Sequence, residues 1–143
     1  MLKRLAVIAI SAVATISLAA GPALADNTAV LISKHATRSP SHLRLFVKVR
    51  VVCSPDTTDA ILSGYADQTN PAGDTQEGYG AVIGISSFEC TGEEENVILP
   101  IRRPTGGFNW RAGEAAVHDV CFFTSDPSGE FSSTLKGRTV SVT

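Results

Sequence analysis

Apolar positions in this chain recur at every second residue far more often than at every third or fourth, the period of side chains alternating across a pleated strand. The clearest case is LRLFVKVRVVC (43–53). Leu43, Leu45, Val47, Val49, Val51 and Cys53 share one phase, and Arg44, Lys48 and Arg50 occupy the other. Shorter β-branched or alternating runs are TAVLIS (28–33), DAILSGYADQ (59–68), YGAVIGISSFE (79–89), NVILPIR (96–102), EAAVHDVCFF (114–123) and RTVSVT (138–143). Between them lie HATRSPS, SPDTT, TNPAGDTQEG, TGEE, RPTGGFN and TSDPSGE, rich in residues that accept turn dihedrals or start Asx-type turns. Seven short strands at this spacing predict an all-β domain, an immunoglobulin-like seven-stranded Greek-key β-sandwich rather than a closed barrel.

The first residues follow a different pattern. Lys3 and Arg4 precede the uncharged apolar run LAVIAISAVATISLAA, and GPALA ends in Ala23-Leu24-Ala25, the small-x-small pattern of a signal-peptidase site. The run is shorter than the roughly 20 residues needed to span a bilayer. Residues 1–25 are therefore expected to be a cleaved signal peptide, and 26–143 a single secreted domain. Cleavage leaves 118 of the 143 residues, enough for one hydrophobic core.

Charge narrows the partners. The whole chain has 12 basic and 14 acidic residues; without Lys3 and Arg4 the basic count falls to 10 and the net charge to −4. That balance lacks the electrostatic footprint of a nucleic-acid binder. Arg44, Lys48 and Arg50 form a basic row on a solvated sheet face. The row serves solubility and cross-strand pairing, or forms a docking stripe for an acidic partner.

Candidate chemistry is sparse. In HDVCFFTSD, His118 and Cys121 are three apart, which on a regular strand places them on opposite faces. They are then neither a nucleophile–base pair nor half of a metal site, and Cys121 is expected to fill space in the core. In GYGAVIG, Gly78, Gly80 and Gly84 miss the dinucleotide-loop spacing and are expected to leave room for a facing strand or side chain. No G-x-S-x-G elbow occurs, and His35, His42 and His118 have no zinc-motif spacing. Two acidic clusters, Asp67/Asn70/Asp74/Glu77 and Glu93/Glu94/Glu95, supply oxygen ligands of the kind calcium takes, but neither has EF-hand spacing. Neither metal nor cofactor is expected. RPTGGFNW carries the candidate binding loop, with Phe108 and Trp110; Trp110 serves as an exposed anchor or as a plug at the sandwich end.

Three cysteines outside the cytosol suggest one disulfide and one leftover thiol. Loop-closure entropy favours no pairing decisively. Cys53 and Cys90 both end strands, which can meet at one rim. Cys53–Cys121 is the alternative, similar to the inter-sheet bridge of antibody domains, but the strand after Cys53 lacks the tryptophan on which that bridge packs. Cys53–Cys90 is the favoured pair.

A strand ending in Cys53, Gln68 closing the next, glycines around 78–84, Cys90-Thr91-Gly92, and then Trp110, Gly113 and Ala115 form a pattern. Over residues 43–143 it resembles a family of small secreted actinobacterial proteins classed as a domain of unknown function (the family numbered 6299). The resemblance implies an immunoglobulin-like sandwich, pairs Cys53 with Cys90, and brings no catalytic residue. The expectation is a secreted, non-enzymatic, monomeric β-sandwich acting by surface contact with an extracellular protein, glycan or cell-wall component. The alternative is a carrier of a small hydrophobic ligand in a cleft between the sheets.

Overall fold

The fold comes from a computed structural model, which describes residues 27–143. The expected signal peptide lies outside the described residues. The described residues are all-β, with eight strands rather than the expected seven: β1 (Thr28–Arg38), β2 (Arg44–Val52), β3 (Asp59–Thr69), β4 (Thr75–Ile83), β5 (Glu94–Arg102), β6 (Gly113–Asp126), β7 (Gly129–Leu135) and β8 (Arg138–Val142). The only helical element among the described residues is one 3-10 turn, Ile85–Ser87.

Two broadly paired ribbons make up the domain. One runs β1-β2-β5 and the other β4-β3-β6, with β8 and β7 placed end to end along the free edge of β6. Narrow seams join them. Tyr79 of β4 meets Arg102 of β5, and His35 and Ala36 of β1 run parallel to Ser141 and Val142 of β8. Seven strands thus close into one barrel-like sheet, where an open-edged sandwich was expected. Closure gives partners to backbone groups that sheet edges leave unpaired.

Glycine makes one seam close-fitting. A Cβ on Gly78 would lie 2.6 Å from the Trp110 ring, and one on Gly80 would collide with the Pro100 carbonyl. These two glycines make room for a side chain and a facing strand, as their spacing suggested. Inside, Leu45, Val47, Val49, Val51 and Cys53 are fully buried, as their alternation predicts, against Leu62, Leu99, Ile101, Val117, Val120 and Phe122. Leu43, assigned to the same phase, is instead exposed before β2 begins.

Three strand expectations change. β1 continues to Arg38 because a register shift between Ile32 and Ala36 absorbs Ser33–His35 and lets the strand reach β8. β4 begins at Thr75, since the supposed long loop is a tight turn in which the Asp74 amide donates to Asn70 Oδ1 at 2.9 Å. It ends at Ile83, where Gly84 (φ 98°) diverts the chain into the 3-10 turn. β7 carries no buried residue to mark it in the sequence.

The most consequential change lies in β6. Ser63 pairs with Cys121 and Tyr65 with His118, so Gly64 faces two residues, Asp119 and Val120. This is a β-bulge, with Asp119 at φ 48°, a left-handed conformation that aspartate tolerates. The inserted residue shifts the phase by one. Val117 and Val120 both point inward, leaving His118 and Cys121 on the same outer face. The opposite-face expectation is therefore corrected. Cys121 does not fill the core; it is a free, half-exposed thiol, its sulfur 3.5 Å from Thr134 Oγ1.

Candidate anion-binding face

Charge is divided by strand. β1 and β2 contain no acidic residue, while β3, β4 and β6 contain no lysine or arginine. On the outer side of the β1-β2-β5 ribbon two depressions lie along the strands. The first, about 520 Å3, is lined by Lys34, His35, Lys48, Arg50 and Arg138, with Asn96 at its edge. The second, about 530 Å3, is lined by Arg44, Arg102 and Arg103 together with Ser39, Ser41 and Thr105. Neither lining includes a carboxylate. Seven of the ten lysines and arginines that follow Arg4 therefore line these two adjoining hollows.

Each cation has a structural reason to be there. Alternation on β2 turns Arg44, Lys48 and Arg50 away from the core. The shift in β1 swings Lys34 and His35 outward beside them. Arg138 is pinned by a 2.7 Å hydrogen bond from Nη1 to the Ile32 carbonyl, and Arg103 Nη1 donates to the Gly107 carbonyl. Arg50 pairs with Glu94 at 3.4 Å at one end of the row. At the other end Arg44 sits directly opposite Arg102 in the β2–β5 register. Like charges placed opposite each other destabilise a sheet. Guanidinium groups beside hydroxyls suit anionic oxygen, because the planar fork matches carboxylate and phosphate geometry. The six-residue rise from Arg44 to Arg50 covers about 20 Å, the length of several repeating units of a polymer.

The other predicted residues fall elsewhere. Cys53 and Cys90 form the disulfide, with Cα atoms 4.5 Å apart. A disulfide fits a non-reducing compartment, and no helix of the described residues is long and apolar enough to cross a membrane. Trp110 is completely buried at the seam, the plug rather than the exposed anchor; Phe108 is half-buried near Arg38 and His42. In the β3–β4 hairpin, Asp67 and Glu77 share the outer face, while Asn70 and Asp74 serve the turn. Glu95 accepts hydrogen bonds from the Glu89 amide.

His118 stands on the outer face of the second ribbon among Asp67, Glu77 and Asp119. Burial is the largest influence on it and opposes protonation. The hydrogen bond to Asp119 and the neighbouring Asp67 carboxylate outweigh it, so the imidazole titrates above its ordinary 6.5. Sequence reasoning registered the Arg44, Lys48, Arg50 row but missed Lys34, Arg102, Arg103 and Arg138, which join it only through strand pairing. The signal available was the strand-by-strand separation of charge. No family model, curated protein or solved structure matches the chain.

Proposed function

We propose that this is a secreted, non-catalytic binding module of immunoglobulin-like Greek-key type that holds an anionic polymer of the cell exterior, phosphate- or carboxylate-bearing, on the outer face of β1, β2 and β5. The carrying observation is the gathering of seven cations along two adjoining hollows on a chain whose net charge is negative. The Arg44–Arg102 juxtaposition supports it, because a repulsive pair in a sheet is relieved when an anion binds between the two. Export by the amino-terminal segment places the module where such polymers occur, and the disulfide is consistent with that compartment. Membership of the domain-of-unknown-function family is part of the same proposal; the bridge joins Cys53 and Cys90, two of the residues in the pattern that carries the resemblance. Carriage of a hydrophobic molecule between the sheets has less support. Trp110, Phe122, Leu45, Leu62 and Leu99 occupy the interior, and the two basic hollows open outward.

Chromatography on immobilised polyphosphate tests the proposal. The protein is expected to be retained at low ionic strength and released as salt rises, and the Arg44→Ala/Arg102→Ala variant to elute earlier. Passage of the unaltered protein without retention, or equal retention of the variant, overturns it. Stronger retention on duplex DNA than on polyphosphate would reassign the face to nucleic acid.

A further inference from the structure

The outer face of the second ribbon carries a different constellation, independent of the basic hollows. Asp67 and Glu77 are direct cross-strand partners, two like charges side by side. From the adjacent strand, His118 brings Nε2 to 3.2 Å from Asp67 Oδ2 and 3.4 Å from Glu77 Oε2. The donor atoms of all three residues lie within 4.8 Å of one another. Ligand atoms about 2.1 Å from one tetrahedral ion are separated by roughly 3.4 Å, so the spacing already approaches that of a coordination sphere.

Two further observations point to a ligand. First, His118 Nε2 and Asp67 Oδ1 are both shut off from solvent, and neither makes a hydrogen bond. Nε2 lies near two carboxylates yet is aimed at neither with hydrogen-bonding geometry. Second, the remote ring nitrogen is already committed. Nδ1 donates to Asp119 Oδ2 at 3.0 Å, and the ring stacks on Tyr65 with centroids 5.8 Å apart and planes 15° apart. A carboxylate holding the far nitrogen fixes the tautomer that leaves the Nε2 lone pair free, the usual support of a metal-ligating histidine. The bulge puts Asp119 in that position and turns His118 outward.

We infer that Asp67, Glu77 and His118 form a binding site for a first-row divalent transition metal such as Zn2+, with Asp119 as the positioning residue behind the imidazole. One nitrogen and two carboxylates suit a borderline cation; Ca2+, which takes six or more oxygens, is a poor match for a set containing imidazole. Glu77 is more than half exposed, so the remaining coordination positions open to water. Binding displaces any proton on Nε2.

The test is calorimetric titration of the metal-free protein with Zn2+ at pH 7.5 in two buffers of different ionisation enthalpy, in a Cys121→Ser background that excludes the free thiol. One ion per chain is expected, with a buffer-dependent heat reporting proton release. His118→Gln is expected to abolish saturation, and Asp119→Asn to weaken affinity by about tenfold or more while leaving the stoichiometry at one. Imidazole nitrogen NMR gives a second readout: Nε2 of His118 is expected to shift on adding Zn2+, and Nδ1 to keep its proton. Failure to saturate in the millimolar range, or tight binding that survives His118→Gln, overturns the assignment, as does an unmoved Nε2 resonance.

Discussion

The two outer faces of this domain are built from strands of the same kind but treat charge in opposite ways. On the β1-β2-β5 face, cations are lined up with little to neutralise them: Glu94 pairs with Arg50, while Arg44 faces Arg102. On the β4-β3-β6 face, carboxylates converge on one imidazole, held at 3.0 to 3.4 Å. An extended row with one counter-ion, at its Arg50 end, favours a long, many-contact anion, whereas a tight convergent cluster favours a single small cation. Averaged over the chain, the two cancel to a small net charge that reveals neither.

Both faces sit on one body, and the largest expected effect comes from loosening it. Cys53 follows β2 of the basic ribbon, and Cys90 follows the 3-10 turn after β4 of the other. Replacing both by alanine is expected to cost about 2–5 kcal/mol in urea unfolding. Loss of stability confined to neither ribbon would confirm that the faces share one cooperative unit. A transition splitting into two steps would break that picture.

Next come substitutions that separate the faces. Arg44→Ala/Arg102→Ala is expected to weaken polyphosphate binding about 30-fold, taking roughly 1 kcal/mol for each cation near an anionic surface. Asp67→Asn/Glu77→Gln is expected to leave that affinity unchanged. Calorimetry on both variants checks the contrast; equal effects would erase it.

A smaller effect of opposite sign is expected for stability. Arg102→Glu turns a repulsive cross-strand pair into an attractive one and should raise unfolding stability by about 0.2–1 kcal/mol while lowering polyanion affinity. A variant that loses both would show that Arg102 holds the sheet together rather than serving a ligand.

The smallest effect is pH-dependent and belongs to the second face. In metal-free protein kept in chelator, His118 has a folded-state pKa above its unfolded value. Its charged form therefore stabilises the fold fully below about pH 6.5, and that contribution disappears as pH rises through the folded pKa. The stability gap between the protein and its His118→Gln variant should accordingly narrow from pH 6 to pH 9 in thermal melts. A gap that widens with pH would mean that His118 is held neutral.

Much of this was readable from residues alone. The alternation in 43–53 identified the inward face of β2 because burial on one side fixes parity, and Cys53 fell on the inward phase as expected. The basic row was visible for the same reason. Parity failed in β6, where a single inserted residue at Asp119 reverses every assignment that depends on phase, and no periodicity shows an insertion before the partner strand is known. That one bulge moved Cys121 out of the core and put His118 on the face of Asp67 and Glu77, forming a cluster the sequence reading, expecting no metal, did not assemble. β7 was invisible because its residues are exposed or only half-buried, so burial imposes no pattern on them. Arg102 ends a strand and Arg103 opens a loop in the sequence pattern, and only register sets Arg102 against Arg44.

Docking of the anion on the β1-β2-β5 face is tested most directly by backbone amide NMR during titration with polyphosphate. Shifts are expected to concentrate at Lys34, Lys48, Arg50, Arg102 and Arg103, with Asp67, Glu77 and His118 unmoved. Shifts centred on the second face, or none up to saturating polyphosphate, would contradict it.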